Sequence, residues 1–175
     1  MPSLFVPGEP LLVTVCVTPA GASAYAVEDQ VPVGWSVSAI SQGGELDAVN
    51  GKVKWGPFLD DTPRTLSYQA IPPATASGTV SLGGVASFDG TSQATAGPSH
   101  LAETCRVGVA PPARPGEFQL TLRGRPGLRL VIEASSDLVT WTVLGEVTTG
   151  VSPVPFADPA PARFPQRFYR ASETH

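Results

Sequence analysis

From Val131 to Arg170 the chain runs in short stretches where alternate residues are apolar, and turn residues close each stretch. Leu130, Ile132 and Ala134 alternate along one run, Trp141, Val143 and Gly145 along the next, and Phe168 faces away from Tyr169 near the end. The stops are Ser136-Asp137, Thr149-Gly150 and Asp158-Pro159. Successive side chains of an extended strand point to opposite faces, so a period of two marks half-buried strands. Nineteen prolines and 18 glycines carry the constraint over all 175 residues. At about a fifth of the chain they are too frequent for long helices, yet below the level of a disordered tract. The expected fold class is all-β.

A boundary is expected at Val109-Ala-Pro-Pro-Ala-Arg-Pro-Gly116, because three prolines and a glycine in eight residues favour an extended connector. Residues 1–108 then form one domain, 109–116 a linker and 117–175 a second domain. The second is small for an independent core and is expected to lean on the first domain or on a neighbouring chain. Strands are expected at Leu11–Thr18, Ala24–Gln30, Trp35–Ser41, Gly51–Trp55, Thr65–Ile71, Gly78–Phe88 and Glu103–Val109. Seven strands at this spacing point to an immunoglobulin-like antiparallel sandwich. Asn50-Gly51 gives the strongest hairpin signal, because both positions tolerate positive φ. In the second domain strands are expected at Phe118–Arg123, Leu128–Ser135, Thr140–Val147, Val154–Phe156 and Arg167–Ala171, with a turn near Ala160–Phe164.

Charge and hydropathy remove several classes of function. The net charge is −4 and the 11 basic residues are scattered, which argues against binding nucleic acid through its phosphates. No stretch approaches the roughly 20 apolar residues of a membrane-spanning helix, and no polybasic patch addresses a lipid surface. Met1-Pro2-Ser3 does not open a secretory signal. A piece of a secreted protein and an intracellular chain both remain open on this reading.

The residues of 24–71 carry a resemblance. Asp29, Pro32, Gly34 and Trp35 match a "D-x-x-P-x-G-W" strand end, Gly51, Val53 and Trp55 a "G-x-V-x-W" hairpin return, and Leu66, Tyr68 and Pro72 a following strand. This segment resembles the conserved-repeat immunoglobulin-like domains of bacterial surface proteins. Residues 118–171 hold "E-A-S-x-D-L-x-x-W" from Glu133 to Trp141, "F-x-D" at Phe156–Asp158 and "R-F-Y-R" at Arg167–Arg170. They are similar to a short C-terminal module of large secreted proteins of the planctomycete and verrucomicrobial kind, and loosely to a fibronectin type III core. That second resemblance implies core-aromatic roles for Trp141 and Tyr169. Together the two imply an extracellular or cell-surface location and say little about activity.

Residues able to do chemistry are sparse. His100 sits in an apparent loop and His175 at the end, so neither a Ser-His-Asp set nor a zinc site can be assembled. Glu28-Asp29, Asp60-Asp61 and Asp89 lack the spacing of a calcium loop and read as turn or cap residues. No metal and no cofactor is expected. Cys16 and Cys105 can form a disulfide or remain two separate thiols, since Cys16 shares parity with Thr14 and Thr18 and not with the apolar Val13/Val15/Val17 face. Trp35 and Trp141 fit strand patterns as core anchors. Trp55 and Tyr25 are the candidate ligand-facing aromatics, because an exposed ring can stack on a pyranose.

The expected function is therefore non-enzymatic: a structural or adhesive module of a bacterial extracellular protein. It would act through contacts with other surface-protein domains or with its own copies, including assembly into a fibre or sheath. A carbohydrate-binding accessory module and a structural protein of a virus particle are the alternatives. The first of these requires Trp55 or Tyr25 on an exposed face.

Overall fold

The computed structural model describes residues 4–114, 117–159 and 165–174. It is all-β: the described residues hold 17 strands and no helix. They fall into two compact units, one of residues up to Pro73 with Gly78–Glu103, the other of Ala74–Ser77 with residues from Thr104 onward. The expected turn at Ala160–Phe164 lies outside the described residues.

The first unit contains β1 (Leu4–Phe5), β2 (Leu11–Val17), β3 (Tyr25–Gln30), β4 (Ser36–Ser38), β5 (Glu45–Asp47) and β6 (Lys52–Phe58). It continues with β7 (Arg64–Ile71), β8 (Thr79–Ser81), β9 (Gly83–Phe88), β10 (Thr91–Ala94) and β11 (His100–Glu103). One sheet has the order β2-β7-β4, and the facing sheet β10-β9-β3-β6-β5. Val13, Val15, Leu66 and Tyr68 from the first and Tyr25, Val27, Val53 and Trp55 from the second share one core. Burial follows strand parity: Val13, Val15 and Val17 point in, while Cys16 points out. A third sheet, β1-β11-β8, places Phe5 edge-on to Trp35 with ring centroids 5.1 Å apart.

The second unit contains β12 (Arg106–Ala110), β13 (Phe118–Arg123), β14 (Arg129–Ser135), β15 (Thr142–Thr148), β16 (Val154–Asp158) and β17 (Phe168–Glu173). Its sheets are β12-β13-β16 and β15-β14-β17. Leu120 and Leu122 from one meet Leu130, Ile132 and Val147 from the other, flanked by Phe118, Phe156 and Tyr169. This is a small sandwich of three strands on three.

Here the sequence-derived boundary needs correction. Arg106–Ala110 pairs antiparallel with β13, Val107 opposite Leu122 and Val109 opposite Leu120. It is the first strand of the second unit and not the last of the first. The proline-rich segment expected to be a linker, of which residues 115 and 116 lie outside the described residues, joins two neighbouring antiparallel strands. Val107 explains the assignment, since it packs on the second core beside Cys105. With this strand each sheet of the unit has three members.

A second correction concerns Trp141. Ile132 lies opposite Gly145 and Glu133 opposite Val143, so Leu144 is an extra residue in β15. Such a bulge reverses which face the following residues occupy. Trp141 is thus half-buried, with the Arg170 guanidinium 4.2 Å from its ring centre, and Val143 is exposed. The expected core anchor is a ring stacked under an arginine.

Candidate functional site

Both residues singled out as ligand-facing aromatics are buried, Tyr25 and Trp55 each at 2% exposure. They occupy the inward parity of β3 and β6, and each polar atom is satisfied inside the unit. The Trp55 indole N–H donates to the Ser41 carbonyl at 2.9 Å. The Tyr25 hydroxyl donates to the Thr62 carbonyl at 2.7 Å and accepts from Arg64. Gly44 is the residue that makes room for Trp55: a Cβ there would lie 2.4 Å from the indole ring. Neither ring can stack on a sugar in this arrangement.

Arg64 binds the strand end together. Its guanidinium lies 4.0 Å from the centre of the Phe58 ring and makes a two-nitrogen contact with Asp60 at 2.7 and 2.8 Å. The Asp60 carboxyl is held well below the usual carboxylate range by Arg64 and by the Thr62 backbone N–H. Asp89 caps the backbone N–H groups of Ser23 and Ala24 at 3.0 and 2.9 Å, and Glu28 pairs with Lys52 at 2.7 Å. Asp60, Asp89 and Glu28 are therefore in separate structural duties. Among the described residues no group of three His, Cys, Asp or Glu side chains is close enough to hold a metal ion.

Cys16 is exposed on β2, and Cys105 lies half-buried against the core of the second unit. Cys16 borders a groove of about 380 Å³ lined by Thr14–Thr18, by Ala86 and Phe88 of β9, and by residues 93–98. The groove follows the unpaired side of β2, whose other side is bonded to β7. Open edges recur: β4, β5 and β10 end sheets in the first unit, and β12, β15, β16 and β17 in the second. Exposed apolar residues lie on several of these, including Leu12, Leu46, Val109, Val143 and Phe168.

Two buried carboxylates were missed by sequence reasoning. Asp29, on β3, is fully buried and accepts a hydrogen bond at 2.8 Å from the Tyr68 hydroxyl on β7 of the facing sheet. Among the described residues its Oδ1 has no hydrogen-bond partner. Burial pushes the Asp29 carboxyl up, opposed by the Tyr68 hydroxyl and the Gln30 backbone N–H. Burial, and then the Asp29 charge, push the Tyr68 hydroxyl up strongly. Asp158, at the end of β16, is 3% exposed and accepts two hydrogen bonds from Arg167 at 2.9 and 2.7 Å. The Tyr169 hydroxyl on β17 of the other sheet donates to it at 2.8 Å. Desolvation, then Asp158, raise the Tyr169 hydroxyl above its ordinary range. The "F-x-D" and "R-F-Y-R" residues thus meet in one inter-sheet contact. Parity was the available signal, because Asp29 shares the inward face with Tyr25 and Val27.

No family model matches the chain, and no curated protein matches it in sequence. Among solved structures it is similar to a protein from Corynebacterium diphtheriae described as membrane anchored, at 13% identity and a TM-score of 0.30. The alignment covers 90% of this chain, which spans 44% of that one. No helix among the described residues is long and apolar enough to cross a membrane.

Proposed function

We propose that the chain is a non-enzymatic structural module of a bacterial extracellular or surface protein, an immunoglobulin-like sandwich followed by a small fibronectin-like one. It works through protein–protein contacts along open strand edges, with other surface domains or with its own copies. The observation that carries this reading is the division of labour between inside and outside. Tyr25 and Trp55 are enclosed in the core with their polar atoms satisfied, while sheet edges with apolar residues such as Leu12 and Val109 face outward. An unpaired edge offers a row of backbone donors and acceptors to another strand, which is how strand addition gains affinity. The carbohydrate reading required one of those two rings on the surface and loses its support.

Light scattering over a concentration series tests the self-association arm. Growth of the 18.1 kDa chain into larger regular species is expected. The growth should weaken in Leu12→Lys, which places a charge on the β2 edge, or in Val109→Lys on β12. A mass that stays at the monomer value at every concentration would rule out self-assembly and leave contacts with other domains to be sought by binding assays.

A further inference from the structure

We propose that Asp29, buried between the two sheets of the first unit under the Tyr68 hydroxyl, is an acid-set latch: the sandwich is most stable with Asp29 protonated and loses stability when it ionises, the Tyr68 hydrogen bond offsetting part of that cost. This goes beyond the structural role argued above, since it makes the rigidity of one sandwich depend on its surroundings. The geometry is a carboxyl at 0% exposure with one oxygen bonded across the sandwich and the other without a partner. An ionised carboxylate needs all its lone pairs satisfied or a cation close by, and a neutral acid needs much less.

Among the described residues, neither strand paired with β3 nor β7 of the facing sheet supplies that cation. On β6 the residue opposite is Val53, and the flanking Lys52 and Lys54 project to the other face, where they bind Glu28 and Asp47. On β9 the residue opposite is Gly84, and a Cβ there would lie 2.9 Å from Asp29 Oδ1 and 2.6 Å from the Glu28 carbonyl oxygen. Thr95, beside Gly84, exchanges hydrogen bonds with the Gly84 backbone. From β7 comes Tyr68, a neutral donor. Glu28, next in the chain, faces away on the opposite parity. The charge of Asp29 is therefore met by one hydroxyl and the local backbone.

The direction follows from linkage. A carboxyl harder to ionise in the folded than in the unfolded chain adds full stability below its unfolded pKa, near 3.8, and that stability drains away as pH rises through the folded value. The salt-bridged Asp47 and Asp60 act in the opposite sense, but only below about pH 4, because both titrate well under their ordinary value of 3.8. Glu28 and Glu133, lowered from 4.5, act in the same sense as Asp47 and Asp60, so the comparison with Asp29→Asn, which keeps all four, separates the latch from them.

The test is urea unfolding of the full chain between pH 4 and 9 in a Trp141→Phe background, so that fluorescence reports Trp35 and Trp55 of the first unit. The expected result is a folding equilibrium constant that falls with pH. The fall is about tenfold for each pH unit over which the folded chain holds the extra proton. Asp29→Asn should flatten this dependence, and Tyr68→Phe, by removing a donor to the carboxylate, should carry the fall to higher pH. A dependence as steep in Asp29→Asn as in the parent, or none in the parent, would overturn the proposal. If Asp29→Asn does not fold, Tyr68→Phe decides it alone: an unshifted profile overturns it.

Discussion

The two units solve the same problem in different ways. Each bridges its two sheets with a buried aspartate that accepts from a tyrosine hydroxyl at 2.8 Å, Asp29 from Tyr68 in the first and Asp158 from Tyr169 in the second. In the second unit Arg167 closes on the carboxylate with two hydrogen bonds, and its own side chain is only 11% exposed. In the first unit no cation among the described residues is bonded to Asp29. A buried ion pair removes the isolated charge but makes each member depend on the other, whereas a lone buried carboxyl depends on its proton. The comparison teaches that a tyrosine hydroxyl can define the register between two sheets, and that what sits on the remaining oxygen decides whether the contact responds to pH.

The widest gap should open on removing Arg167. Arg167→Met leaves Asp158 buried beside Tyr169 without its cation, and unfolding of the second unit in urea should show a loss of about 3–5 kcal/mol. No equivalent substitution exists around Asp29. Trp55→Ala gives a benchmark of similar size in the first unit, about 3–5 kcal/mol, for the cavity and the lost Ser41 bond. An unchanged midpoint for either variant would contradict the packing described.

The tyrosines sharpen the contrast at a smaller scale. Tyr68→Phe should cost the first unit about 1–2 kcal/mol, since Asp29 loses its only side-chain donor among the described residues. Tyr169→Phe should cost the second unit less, because Arg167 still satisfies Asp158. Equal losses would mean that the arginine is not the principal support. Below these comes the loop from Ser135 to Thr140, where the Thr140 and Val139 backbone N–H groups hold the Asp137 carboxyl down at about 2. Its contribution is present above the unfolded value of 3.8 and is lost as pH falls toward 2, so acid titration of Asp137→Asn should lack that phase. The smallest effect is expected for Trp141→Ala, whose ring is half-buried under Arg170. A loss as large as that of Trp55→Ala would show that Trp141 belongs to the core after all.

Most of the fold was legible because burial in a sandwich imposes a period of two. β2, β3, β7, β13 and β14 were readable where one parity is apolar, as in Val13/Val15/Val17. Strands without that contrast were not. β10 follows the Asp89-Gly90 turn, where both residues have positive φ as a two-residue hairpin requires, yet all four of its residues are exposed and offer no alternation. Asn50-Gly51 did mark a hairpin, though as part of a four-residue loop in which Asp47 caps Val49 and Asn50. The proline-rich segment misled because proline signals a break in a strand without saying whether the chain turns back or leaves the domain. Trp141 misled because a one-residue bulge is invisible in an alternation count. Asp29 and Asp158 looked like turn residues, since each precedes or nearly precedes a proline, and only their inward parity distinguished them.

The most direct measurement is residue-resolved amide hydrogen exchange of the whole chain at pH 5 and pH 8, corrected for the chemical exchange rate. The slowest amides of β3 and β7 should lose protection at the higher pH, while those of β14 and β17, in the unit where Arg167 compensates Asp158, should hold theirs. Protection that changes equally in both units, or in neither, would contradict the distinction between a proton-dependent and an arginine-held contact.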